Sequence, residues 1–316
     1  MTKATKRSAA KPRTPQHPQR RPQQREVSRG LLYAIGAAGL AGILAVVIIV
    51  SRGESSATTA AAGLPQTSDY HSLLVSSTDA SRLVLGTHQG LFESLDGGLN
   101  WQQAELVGQD AMNLARAEGQ TLWAAGHNVL ARSGDGGASW QNVSPAGLPG
   151  LDVHGFAVDP SGPRTLYAAV AGKGLYRSRD GGESFALASA EVGGGVMALA
   201  VTPDGRLLAG DMERQALLVS KDGGRSWEES SGGAVAGLAV NPSDPKRIAA
   251  SGAGVLLSTD GGRSWRETLV LPDGSGPIAW AKSSPLVGYV VGFDRSLHKT
   301  SDGGETWAAV VSPTVN

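Results

Sequence analysis

One octapeptide constrains this chain more than its composition does. Ser258-Thr259-Asp260-Gly261-Gly262-Arg263-Ser264-Trp265 has five counterparts, at residues 94–101, 133–140, 178–185, 220–227 and 300–307. Each copy has Ser or Thr, one free position, Asp-Gly-Gly, two further residues and an aromatic. The aspartates fall at Asp96, Asp135, Asp180, Asp222, Asp260 and Asp302, at intervals of 39, 45, 42, 38 and 42 residues. A period near 40 carrying one fixed turn is the mark of a repeat architecture.

The chemistry of the octapeptide is that of a hairpin turn. Paired glycines supply positive φ between two short apolar runs, as in Gly174-Leu175-Tyr176 before one copy and Phe185-Ala186-Leu187 after it. The Asp carboxylate is expected to accept N–H groups of its own turn, and the Ser/Thr hydroxyl adds a further bond. Trp101, Trp140, Phe185, Trp227, Trp265 and Trp307 open the return strands and are expected to plug the gaps between neighbouring sheets.

Around each turn the pattern is four short strands. In the third repeat they read as 153–158, 165–170, 174–178 and 185–189, and in the fifth as 236–240, 247–251, 254–258 and 265–270. Four strands at this period predict an all-β, six-bladed β-propeller. Its first strand starts at His71 and its last ends at Val311, so the seam falls between whole blades. Closure then rests on face-to-face packing, unless residues 58–69 or 312–316 add a strand.

Ahead of the repeats the composition changes twice. The whole chain balances 28 Lys and Arg against 28 Asp and Glu, yet residues 1–29 hold nine basic residues and one acid. With four prolines and four glutamines, this head reads as a disordered basic tail. Residues 30–50 carry no charge, and 21 residues at about 1.5 Å each span roughly 30 Å, the thickness of a bilayer core. They predict one N-terminal transmembrane helix. The run is longer than a signal-peptide core of about 7–15 residues, and it lacks the polar stripe of a soluble helix. Basic residues on the N-terminal side put that end in the cytoplasm and the propeller outside, in a periplasmic or extracellular space. Nucleic-acid binding by the tail is the weaker reading. Residues 51–68, rich in Ser, Thr, Ala and Gly, read as a flexible linker, and 69–313 as the propeller.

The octapeptide resembles the Asp-box, or BNR repeat, of sialidases, sortilin-type receptors, the photosystem II assembly factor and bacterial proteins labelled glycosyl-hydrolase-like. That resemblance implies a propeller with the boxes on a rim away from any active site; it implies no single function. Sialidase chemistry would require a Phe/Tyr-Arg-Ile-Pro motif before the first box, an arginine triad and a Tyr–Glu pair. Only Arg82, followed by Leu83-Val84, precedes Ser94 in the globule, and the one Arg-Ile, Arg247-Ile248, is followed by Ala. The expectation is a monomeric, membrane-anchored module that binds a protein or glycan and needs no cofactor. A carbohydrate-active hydrolase is the alternative.

The loops opposite the boxes differ from repeat to repeat and are the candidate binding face. They offer His88, His127, Lys173, Asp211, Glu213, Arg214, Asp294 and Arg295, and the connections between blades add Glu105, Asp110, Asp152, Glu191 and Asp273. His71, Met112, His154 and Met197 share one repeat position, at the start of the first strands. Histidine and methionine suit a soft or borderline metal. No closely spaced ligand pair accompanies them, so the expectation is that they fill the channel mouth without a metal.

Overall fold

The computed structural model describes residues 61–313; the tail and the proposed transmembrane run at 30–50 lie outside the described residues. Among the described residues no helix is long and apolar enough to cross a membrane.

The repeats form six blades, each an antiparallel sheet whose strands are ordered as they come in sequence. The inner strands are Tyr70–Val75, Asn113–Arg116, Val153–Val158, Val196–Val201, Val235–Val240 and Ser275–Trp280. Each packs on the next, and Tyr70–Val75 meets Ser275–Trp280 to close the ring. The described residues therefore form an all-β six-bladed propeller with the seam between whole blades.

Two of the outermost strands are short because the sequence behind their boxes is polar. Gln141–Asn142 and Glu228–Ser230 have the shortest runs, and their side chains are mostly exposed. The core is divided accordingly into six apolar clusters, each shared by two adjacent blades. Each box aromatic enters a different cluster, between its own blade and the preceding one. Trp140 lies with Leu91 and Val84, Trp227 with Tyr167 and Leu175, Trp265 with Leu208 and Leu217, and Trp307 with Val255 and Leu257. Phe185 joins Trp123 and Leu130, and Trp101 joins Tyr289 and Leu297 across the seam.

The linker expected over 51–68 must be shortened. Ala61–Ala62 pairs with Asn100–Gln103 as a fifth strand on the outer edge of blade one. Gly63 donates its N–H to the Leu99 carbonyl at 2.8 Å, and Leu64 is buried in the cluster that joins the last blade to the first. Thr67 is buried too, and the Tyr70 hydroxyl donates to the Pro65 carbonyl at 2.7 Å. Alanine and glycine made this stretch read as a spacer, but a short segment lying across the seam needs small residues and one apolar anchor. The added strand does not close the ring, since it extends blade one and leaves the last blade unpaired.

Candidate functional site

Strand direction alternates within a blade, so the boxes and the turns after the inner strands emerge on one face. Backbone bonds join them there, from Gly97 N–H to the Ser81 carbonyl, Gly181 to Arg164 and Gly261 to Lys246. The turns between second and third strands, and the connections between blades, lie on the opposite face.

The box face is occupied with its own turns. In every copy the Ser or Thr hydroxyl donates to the Asp carboxylate two residues on, at 2.7–2.9 Å. The same hydroxyl oxygen accepts the N–H of the second glycine at 2.8–2.9 Å. A residue not recognised from sequence completes the pattern. Position seven is Asn100, Ser139, Ser184, Ser226, Ser264 or Thr306, and its side chain donates to the other Asp oxygen. That position is a short hydrogen-bonding residue in all six copies, which is the signal that was available. These bonds hold the carboxyls below the ordinary range. Asp135 lies at about 2, chiefly through the Ser139 hydroxyl, and Asp302 at about 2, chiefly through that of Thr306.

On the opposite face four of the six histidines of the chain converge across blades one to three. His88 and His127 occupy the second-to-third-strand turns of blades one and two, while His71 and His154 come from the inner strands of blades one and three. Those inner strands carry β-bulges, where the pairing slips between Tyr70 and Ser72 and between Val153 and Gly155. The skipped residues are His71 and His154. Bulges re-aim a side chain in this way, and Met197 and Ala236 sit at the same slip in blades four and five.

Three aspartates bind the histidines together: Asp110 and Asp152, from the blade connections expected on this face, and Asp69, which the sequence did not single out. Asp110 Oδ2 lies 2.7 Å from His88 Nδ1 and 2.6 Å from His127 Nδ1. Asp152 Oδ1 lies 3.2 Å from His154 Nε2 and 3.5 Å from His127 Nε2. Asp69 Oδ2 lies 3.2 Å from His88 Nε2. Each aspartate stands two residues before the shared repeat position, as Asp69-Tyr70-His71, Asp110-Ala111-Met112 and Asp152-Val153-His154, and blades four to six lack it. The backbone sets the approach. His127 and Asp152 form an isolated antiparallel bridge, and the Ala111 N–H donates to the Thr87 carbonyl at 3.0 Å. Gly126 lies so close that a Cβ there would stand 1.9 Å from the Asp110 carbonyl oxygen. Burial pushes the His71 imidazole below its ordinary pKa, with the Asp110 carboxylate opposing.

Met112 and Met197 do not join this cluster. With His71, Ala236, Pro277 and Ile278 they line the central channel, a cavity of about 80 Å³ whose lining includes no carboxylate. Ligand pockets usually hold about 300–1,000 Å³. The remaining candidates stand apart. Asp211 is buried and its Oδ1 accepts the N–H groups of Glu213 and Arg214, both at 3.0 Å. Arg214 donates to the Glu191 carbonyl at 2.8 Å. Asp294 Oδ1 accepts the Ser296 N–H at 2.9 Å, and Arg295 donates to Gln66. Asp211 and Asp294 are thus committed to their own turns.

Residues 64–211, just under half of the chain, match the family model described as photosynthesis system II assembly factor YCF48. The match spans blades one to three, which hold the histidine cluster, and ends within blade four. The six-bladed propeller fits the BNR/sialidase-like superfamily. No significant match was found among curated proteins. Among solved structures, YCF48 from Cyanidioschyzon merolae aligns at 19% identity and TM-score 0.52, covering 81% of this chain and 89% of that one. YCF48 bound to D1 peptide aligns at 20% identity and TM-score 0.53, covering 80% and 85%. The GH74 xyloglucanase from Xanthomonas campestris aligns at 21% identity and TM-score 0.57, covering 81% of this chain. This BNR-type propeller spans only 46% of the xyloglucanase's length. At such identities the likeness extends to the fold alone.

Proposed function

We propose that this chain is a membrane-anchored, extracytoplasmic propeller that acts as a binding or assembly module, with a protein ligand on the face opposite the boxes. The observation that carries this reading is the match of residues 64–211 to the assembly-factor family. A propeller of similar fold is known bound to a D1 peptide, which supports a protein over a glycan as the ligand. The division of labour between the faces supports the choice of side. Box side chains are spent on identical turns, whereas the opposite loops vary. Anchoring rests on the uncharged run at 30–50 behind a basic head. The hydrolase alternative has less support, because no carboxylate lines the channel.

The test is cross-linking and capture from solubilised membranes with the full chain. Lys173→Ala, Arg214→Ala and Arg295→Ala are compared with Arg179→Ala and Arg225→Ala on the box face. Reduced capture in the first set, at unchanged melting temperature, supports the reading; loss confined to the second reverses the assignment of faces. Topology is tested on intact cells, where external protease should digest the propeller and spare a tag at residue 1. Protection of both ends rules out the extracytoplasmic placement.

A further inference from the structure

The spacing of three donor atoms in the histidine cluster bears on more than polar packing. His127 Nε2 and His154 Nε2 are 3.1 Å apart, and Asp152 Oδ1 lies 3.2 Å from the latter and 3.5 Å from the former. Tetrahedral ligands held at about 2.0–2.1 Å from a zinc ion are separated by about 3.4 Å. The three atoms therefore already form a triangle close to one face of a zinc tetrahedron. They come from three different connections, the His127 turn, the link into blade three and the bulge at His154.

Hydrogen-bond accounting points the same way. A carboxylate can only accept, so the contact from Asp110 Oδ2 places the His127 hydrogen on Nδ1 and leaves the Nε2 lone pair facing His154 and Asp152. Carboxylate–imidazole–metal relays are built in this manner. His154 Nδ1 is buried without a partner, so that ring makes its polar contacts only through Nε2. Without a cation, the His154 Nε2 hydrogen must be divided between His127 Nε2 and Asp152 Oδ1. A cation engages all three lone pairs at once, with the His154 hydrogen moved to Nδ1.

We propose that His127, Asp152 and His154 form a transition-metal site, with Asp110 orienting His127. Two imidazoles and one carboxylate favour zinc, nickel or copper over magnesium or calcium. Asp152 and His127 keep 49% and 44% of their side-chain surface exposed, so the fourth coordination position opens to solvent. Asp69, His71 and His88 form a neighbouring group of the same composition, joined to the first through Asp110. Its exposed Asp69 makes it the looser of the two.

The test uses the full chain without a polyhistidine tag, stripped with chelator and titrated with zinc alone against a chromogenic competitor, so it does not depend on any partner. One zinc per chain should bind at micromolar or lower concentration. His127→Ala and His154→Ala should each weaken binding at least tenfold, and Asp110→Asn by roughly 10–100-fold. His298→Ala, in blade six, is the control and should bind like wild type. Asp152→Asn, at a half-exposed position, tests the ligand set with the least risk to folding, and metal-free melting curves verify each variant. The assignment fails if wild type takes up no zinc at micromolar concentration, or if the His127→Ala/His154→Ala double variant binds equally well. It fails also if His71→Ala or His88→Ala abolishes binding while His127→Ala does not.

Discussion

At the scale of single residues, the six box aromatics share a position but differ in how their polar atoms are satisfied. Trp101 Nε1–H donates to the Gly98 carbonyl at 2.9 Å, and Trp140 and Trp227 repeat that bond at 3.2 and 3.1 Å. Trp307 donates to Thr268, whereas Trp265 Nε1 is buried with no partner. Leaving a buried donor unpaired costs about 1–3 kcal/mol, so its removal recovers part of what the smaller ring loses in packing. Trp265→Phe should stay within about 0.5 kcal/mol of wild type, the range of benign substitutions, as Phe185 in the third box suggests. Trp101→Phe should cost about 1–3 kcal/mol, because it deprives a buried carbonyl of its donor. Equal melting temperatures for the two variants would refute the account. The box carboxyls make a second residue-scale prediction. Unfolded aspartate titrates near pH 3.9, while Asp135 and Asp302 lie at about 2 in the fold. Depressed carboxyls add stability that is complete above the unfolded pKa and lost as pH falls through the folded one. The melting temperature should therefore hold above about pH 4 and fall between about pH 4 and 2. Asp302→Asn should make that fall shallower, and an unchanged slope would remove the boxes from the acid response.

At the scale of elements, the box is a unit whose parts are interchangeable only where geometry allows. Ser258 Oγ accepts the Gly262 N–H at 2.8 Å while donating to Asp260 at 2.8 Å, and Ser258 is 1% exposed. Ser258→Ala leaves that N–H unpaired and should cost about 1–3 kcal/mol. Ser258→Thr should melt like wild type, since Thr300 fills the same role in the sixth copy at 2.8 and 2.9 Å. Denaturant melts of the pair decide it: if both variants lose alike, the hydroxyl is not what the turn requires. Such local chemistry is why the boxes, the strands and the blade number could be read from residues alone. The inner-strand position shared by His71, Met112, His154 and Met197 was also legible, because repeats align. That it coincides with a bulge in blades one, three and four was not, since a bulge shows only in how neighbouring strands pair. Asp110 and Asp152 were legible as carboxylates on that face, in the connections between blades, but their pairing with histidines was not. Their contacts reach histidines from other turns and blades, and no periodicity within one repeat encodes them.

At the scale of the whole molecule, the ring must close without a strand contributed by one end to the other end's blade. Closure depends on the cluster in which Tyr70, Leu73, Leu83 and Trp101 of the first blade meet Tyr289, Val291 and Leu297 of the last. Leu64 enters that cluster from outside both sheets at 4% exposure, held by the Gly63 bond to Leu99 and the pairing of Ala61–Ala62. Tyr289 adds a hydroxyl bond to the Ala80 carbonyl at 3.0 Å, across the same seam. The other five interfaces join blades linked by continuous chain, whereas this one joins the two ends, so its loss frees both. Leu64→Ala removes a buried apolar anchor there and should cost about 2–5 kcal/mol. An exposed leucine of the same type, Leu187, offers the control, and Leu187→Ala should change stability by no more than about 0.5 kcal/mol. Hydrogen exchange locates the effect: in Leu64→Ala, protection should fall first in Tyr70–Val75 and Gly288–Gly292, on either side of the seam, and last in Leu207–Asp211. Uniform loss of protection in all six blades would mean that the ring opens as one cooperative unit and that Leu64 does not guard its seam.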